Sequence, residues 1–157
     1  MVEDLFVPEE RSFVVGKIRW NLPDPLYRFP FSTFAEVSVS SVCIGLARGF
    51  FDRLSEMNHD RHPADVSMMA ERMIRLRGHF FREVDDAWED MVKGEALQEE
   101  KAKRVGKAAK ETAQEMRRMI QEIFPKLGMS VLRENHPLNR IYRDLETACH
   151  HVSIQDE

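Results

Sequence analysis

Six histidines are spread over the 157 residues, and two groupings of them have spacing that could carry chemistry: His59 and His62 in an HDRH run, and the adjacent His150 and His151. Imidazoles suit a divalent metal, but a structural zinc site needs four ligands. Neither a cysteine-pair framework nor a His-Glu-x-x-His helix accompanies these. The HDRH pair is read as solvated loop histidines, and no metal ligand is assigned. The second grouping is richer, because Arg140, Asp144, Thr147 and His151 follow i, i+4, i+7, i+11 spacing and share one polar face of a helix. Asp144 pairing with Arg140 or Arg143 would make that face a structural tie, with His151 a surface residue. Alternatively, His151 stands at the mouth of a ligand site at the helix end, where an imidazole can give or take a proton. Spacing favours the first reading and leaves the second open.

Two charged clusters are weaker signals. Lys101, Lys103, Arg104, Lys107 and Lys110 could attract a phosphate-bearing ligand, but Glu99, Glu100, Glu111 and Glu115 surround them, the pattern of a solvated helix face. Asp85, Asp86, Glu89 and Asp90 are expected on an outer helix face, titrating normally and serving solubility. A net charge of -4, from 23 basic and 27 acidic residues, gives no electrostatic footprint for nucleic acid or an anionic membrane. Only Cys43 and Cys149 occur, both in apolar helical contexts, so a disulfide framework is not expected and a reducing cytoplasm is. The start, MVEDLFVPEERSF, lacks the basic and apolar regions of a signal peptide. The apolar run from Val37 to Ala47 is shorter than the roughly 20 residues that span a bilayer, which argues against a membrane.

The elements that must hold these residues are helical. Residues 1–30 differ from the rest: Pro23, Pro25 and Pro30 block helix propagation, and β-prone runs such as Phe13 to Val15 have no partner strand, so an extended lead-in is expected. From Phe31 four amphipathic segments follow. The first, through Phe34, Val37, Val42, Leu46, Phe50, Leu54 and Met57, is apolar nearly all round and is expected to be central, its small residues Ser38, Ser41, Gly45 and Gly49 admitting a neighbour. The second runs from about Val66 to Lys93 with Met73, Leu76, Phe80, Val84, Trp88 and Met91 inward and Gly94 as C-terminal cap. The third spans about Glu99 to Phe124, with Ala102, Val105, Ala109, Met116, Ile120 and Ile123 as its stripe and Pro125 at its end. After a turn through Gly128 and Ser130, the last runs from about Pro137 to His150, turning Leu138, Ile141, Leu145, Ala148 and Val152 inward. The fold expected is all-α, a four-helix up-and-down bundle over 31–157 with the lead-in of 1–30 before it.

Three stretches together resemble one family. VEDLFVPEERSF is similar to the closing strand of the middle β domain of acyl-CoA dehydrogenase-like flavoproteins. LYRFPF followed by VCIGLARGFFD resembles the start of their C-terminal bundle, and LGMSVLRENHPLNRIYRDLETACHH its end. The PLNRIYRD pattern points to the branch containing monooxygenases and hydroxylases. The resemblance implies a flavin, FAD or FMN, held between a middle β barrel and this bundle, and an oligomer, dimer or tetramer, formed through the bundles. It also implies that an N-terminal helical domain and most of the barrel lie elsewhere, for instance on a companion polypeptide.

By the same resemblance His151 matches a histidine near the reactive edge of the flavin, and Gly128 and Ser130 match a turn that approaches a flavin, often a neighbouring subunit's. Arg140, Arg143 and Asp144 match a motif that positions this end of the bundle. One departure matters: classical acyl-CoA dehydrogenases commonly carry a glutamate followed by Gly-Thr just after this helix, whereas HHVSIQ stands here. Without that base, proton abstraction α to a thioester has no evident agent, and a hydroxylase-type role with His151 assisting proton movement fits better. The alternative is a stand-alone oligomeric helical interaction module without flavin or catalysis.

Overall fold

The computed structural model describes residues 4–12, 23–57 and 63–155. Among the described residues from 31 onward there are four long helices: α1 (Phe31–Glu56), α2 (Pro63–Val92), α3 (Glu99–Ile123) and α4 (Pro137–Cys149). Short 3-10 turns at Phe124–Leu127 and Met129–Leu132 join α3 to α4. The helix ends follow local chemistry. Gly94, at φ +86°, closes α2 in a Schellman arrangement, its amide donating to Met91 O and that of Glu95 to Asp90 O. Pro125 halts α3 in a 3-10 turn, and α4 opens with Pro137 in its first turn while His136 Nδ1 accepts from the Leu138 amide at 3.2 Å.

Contacts between side chains fix the direction of each helix. Lys101 pairs with Asp90 and Arg72 with Glu115, so α2 and α3 run antiparallel. Ser40 Oγ donates to Ala109 O at 2.8 Å and Phe50 meets Phe124, so α1 and α3 run parallel. Tyr142 stacks on Phe124 with ring centroids 4.3 Å apart, while Cys149 reaches Ala113, so α4 runs back along α3. The result is the up-and-down bundle, with α1 and α3 as the central pair and α2 and α4 on their flanks. Its core gathers Cys43, Ala47, Phe50, Leu54, Phe80, Met116, Ile120, Leu138, Leu145 and Ile154.

Several side chains face differently from expectation. On α1 the buried face is Thr33, Ser40, Cys43, Ile44, Ala47, Phe50, Phe51 and Leu54, while Phe34, Val42 and Met57 are exposed. A helix apolar on nearly all sides offers no periodicity to choose a face, and the small residues expected to admit a neighbour do not do so within this chain: Ser41 and Gly45 are exposed, and a Cβ at Gly45 or Gly49 would meet nothing within 4 Å. Ala87, not Trp88, is buried on α2, and Val152 points outward while Ile154 fills the core. By length and composition α1 is also long and apolar enough to cross a membrane, although Glu36 and Arg48 flank its uncharged run. Here its core face packs on α3 and α4. The described part of the lead-in is not extended throughout: 3-10 turns form at Glu9–Arg11 and Pro25–Arg28, the second because Asp24 accepts from the Leu26 amide just ahead of Pro25. Phe13 to Val15 and the HDRH histidines lie outside the described residues.

Phe50 is fully buried and meets the rings of both Phe51 and Phe124. Phe50→Ala is expected to cost about 3–5 kcal/mol, read as a lower midpoint in chemical denaturation at unchanged slope.

Candidate functional site

The end of α4 is where the candidate proton-transfer residue stands, and it is tied to α3 on both sides of the helix end. Glu146, one turn before that end, accepts from Arg117 Nε and Nη2 on one carboxylate oxygen at 2.9 and 2.7 Å, and from Gln121 Nε2 on the other at 2.8 Å. Both charged side chains are about three-quarters buried, and the carboxylate holds the Arg117 guanidinium above its ordinary pKa through that hydrogen bond. Beyond the helix, Gln114 Nε2 donates to Ile154 O at 3.2 Å and the Ile154 side chain is fully buried. The intervening turn has little freedom: the His151 amide donates to Ala148 O and the Ile154 amide to His151 O.

His151 sits exposed on that anchored turn. Its Nδ1 accepts from the Ser153 amide at 3.2 Å, so the neutral ring carries its proton on Nε2. An oriented imidazole with one nitrogen occupied can exchange a proton at the other with whatever docks on this surface. The preceding face behaves otherwise than as a tie. Arg140, Asp144 and Thr147 are all exposed, Arg143 donates to Glu134 O at 3.4 Å, Thr147 to Arg143 O, and no ion pair of Asp144 with Arg140 or Arg143 forms among the described residues. The tie at this end is Glu146 instead, on the opposite, half-buried side of the helix.

Gly128 links the two 3-10 turns at φ +82° and ψ 179°, a conformation reserved for glycine. A Cβ there would meet nothing within 4 Å, so backbone conformation rather than crowding within this chain requires the glycine. Ser130 is exposed on the following turn, and its hydroxyl has no partner among the described residues. No hydrogen bond joins Gly128 or Ser130 to His151. The turn leads into α4 and His151 follows it, and the two ends of a 13-residue helix are about 20 Å apart.

The charged clusters are structural. Lys101 spans α2 and α3 to Asp86 and Asp90 at 3.0 and 2.5 Å, which raises its pKa, and Arg104 pairs with Glu83 and Asp86. Half of the acidic cluster on α2 therefore faces α3 rather than open solvent. Lys103, Lys107 and Lys110 pair with Glu99, Glu111 and Glu36 along an open groove of about 930 Å³ between α1 and α3. Among the described residues no group of three or more His, Cys, Asp and Glu could hold a metal. Arg28 of the lead-in, not singled out by its sequence context, donates to Met91 O and Gly94 O and so caps α2.

Residues 37–156 match the family described as acyl-CoA dehydrogenase, C-terminal domain. The chain belongs to that family. Among its relatives are an indole-3-acetate monooxygenase of Pseudomonas putida, 27% identical over 99% of this chain and 43% of that protein, and a pigment production hydroxylase of Rhodococcus erythropolis, 20% identical over 97% and 44%. The chain thus spans less than half the length of these relatives. Two solved structures share the fold. The HsaA monooxygenase from M. tuberculosis superposes with a TM-score of 0.75 at 18% identity, over 84% of this chain and 38% of that one. The 3-HSA hydroxylase from Rhodococcus sp. RHA1 superposes with the same score at 20% identity and the same coverage.

Glu146→Ala strands a largely buried guanidinium and is expected to cost about 1.5–3 kcal/mol, and the double variant with Arg117→Met should recover part of that in a double-mutant cycle. Gly128→Ala is expected to cost about 1–3 kcal/mol from backbone strain alone, measured as thermal midpoint, since open space surrounds the new methyl group.

Proposed function

We propose that residues 31–157 are the C-terminal bundle of a flavin-dependent hydroxylase or monooxygenase, preceded in residues 1–30 by the end of a middle β domain. The bundle acts together with an N-terminal helical domain and a β barrel, which a companion polypeptide can supply. The observation that carries the reading is the exposed His151 ring, oriented by the Ser153 amide on a turn anchored to α3, in a family whose relatives named above are oxygenases. The residues present fit an edge of a flavin site rather than an enclosure. Gly128 leaves space beside its backbone and Ser130 offers an unengaged hydroxyl, both on an exposed turn.

Flavin, FAD or FMN, supplies oxygen activation when bound. The chain contributes a proton donor and acceptor in His151 and a backbone contact surface at Gly128 and Ser130. Because Gly128 and Ser130 lie on the turn before α4 and His151 on the turn after it, they suit two flavins, one of the subunit itself and one of a neighbour. A dimer or tetramer is accordingly expected, with Phe31, Phe34 and Val42 of α1 exposed and available for burial. A cytoplasmic setting suits the two free thiols, and neither nucleic acid nor a membrane is part of the reading. Dehydrogenation of a thioester is disfavoured, since His151, Val152 and Ser153 stand where a carboxylate base would be needed.

The test is to combine the chain with a polypeptide carrying the helical and barrel domains. Flavin binding is followed by absorbance and fluorescence with FAD and with FMN, and oxygen incorporation into indole-3-acetate as an aromatic probe is assayed. His151→Ala is expected to keep flavin binding and lose roughly 10²–10⁴-fold in turnover. A folded, oligomeric chain that binds neither flavin nor the companion would instead support the stand-alone interaction module.

A further inference from the structure

The only two cysteines of the chain lie 106 residues apart in sequence, yet they meet inside the bundle. Cys43 in the middle of α1 and Cys149 at the last position of α4 have their sulfurs 3.6 Å apart, and both are buried and free. We propose that Cys43 and Cys149 form a redox-responsive dithiol that closes to an intramolecular disulfide, cross-linking α1 to the turn that carries His151. Nothing in the oxygenase reading requires this pair, and the proposal stands if that reading fails.

The geometry carries it. A disulfide needs the sulfurs at about 2.0 Å, so the gap to close is about 1.6 Å. The contact between the two sulfurs favours Cys43 on α1 as the attacking group. The Cys149 thiol proton has two acceptors in reach, the Cys43 sulfur and Ala113 O at 3.7 Å. The contact with Cys149 lowers the Cys43 pKa, and the contact with Cys43 together with burial raises that of Cys149. Burial of both sulfurs excludes bulky oxidants and leaves a small one, hydrogen peroxide, as the fitting reagent.

With hydrogen peroxide the step balances. The Cys43 thiolate attacks one peroxide oxygen and the O–O bond breaks, leaving a sulfenic acid on Cys43 and hydroxide, which takes the thiol proton to become water. The Cys149 sulfur then attacks the Cys43 sulfur, the S–S bond forms, and the sulfenic oxygen leaves as a second water carrying the Cys149 proton. Two thiols are oxidised and one peroxide is reduced to two waters. The covalent bond then joins helices that packing alone holds at this point, and it immobilises the residue two positions before His151.

The test treats the folded chain with hydrogen peroxide, then alkylates it under denaturing conditions and maps the peptides by mass without reduction. The expected result is a Cys43–Cys149 linked peptide within one chain, with no covalent dimer, a loss of two hydrogens reversed by dithiothreitol, and a thermal midpoint raised by about 5–10 °C. The midpoint shift should be absent in Cys149→Ala. Both thiols remaining alkylatable after prolonged exposure, with helical circular dichroism intact, would overturn the proposal. So would oxidation that ends in intermolecular disulfides or in sulfinic acid on one cysteine.

Discussion

The seating of α4 depends on one carboxylate. Glu146 takes three hydrogen bonds from Arg117 and Gln121 of α3 at the boundary of the core, where a carboxylate without partners would be costly. This short helix has a single apolar face, made by Leu138, Leu145 and Cys149, to hold it against its neighbours. The ion pair sets its axial register on α3, because only one position along the antiparallel pair brings Glu146 level with Arg117 and Gln121. The Phe124–Tyr142 stack and the Gln114–Ile154 bond agree with that same register.

That register in turn depends on how closely α1 and α3 approach. Ser40, Cys43 and Ala47 on one helix and Ala109, Ala113 and Met116 on the other are buried, and the Ser40 hydroxyl donates directly to the Ala109 carbonyl. Small side chains at this seam let the two helices run side by side in parallel, with the larger Phe50, Leu54, Ile120 and Ile123 filling the space further along. The charged pairs linking α2 to α3 lie at the rim, where solvent screening leaves each of them a modest contribution. The proposed proton-transfer residue, His151, thus lies at the periphery of a packed bundle, on a turn whose backbone is hydrogen-bonded and whose last apolar residue, Ile154, is fixed in the core.

Local chemistry was the part most legible in the sequence. The limits of α1, α3 and α4, the end of α2 with its Gly94 cap, the Pro125 stop and the glycine at the 128 turn follow from propensity, capping and periodicity, which depend on near neighbours in the chain, whereas α2 starts at Pro63, a turn before the Val66 that periodicity suggests. The inward face of α1 was not legible, because Val37 through Ala47 is apolar on every side and only the approach of α3 selects Ser40 and Cys43 over Phe34 and Val42. Nor was the tie at the end of α4. Glu146 looks like any helix-surface glutamate, and its partners stand 25 and 29 residues away. Arg28 on Met91 O and Cys43 against Cys149 are long-range in the same sense. Of the candidate site, the sequence pointed to His151, Gly128 and Ser130 as residues, whereas the Ser153 amide that orients the imidazole follows from a turn geometry that periodicity does not encode.

The central claim is that His151 belongs to a rigid part of the bundle rather than to a loose end. Site-resolved amide hydrogen exchange over residues 146–155 tests it most directly. The account predicts that the His151 and Ile154 amides, which donate to Ala148 O and His151 O, exchange with protection comparable to the body of α4. It also predicts that this protection collapses in Glu146→Ala while α1 and α2 keep theirs. Exchange of these amides at the rate of an unstructured peptide in the unmodified chain would contradict it.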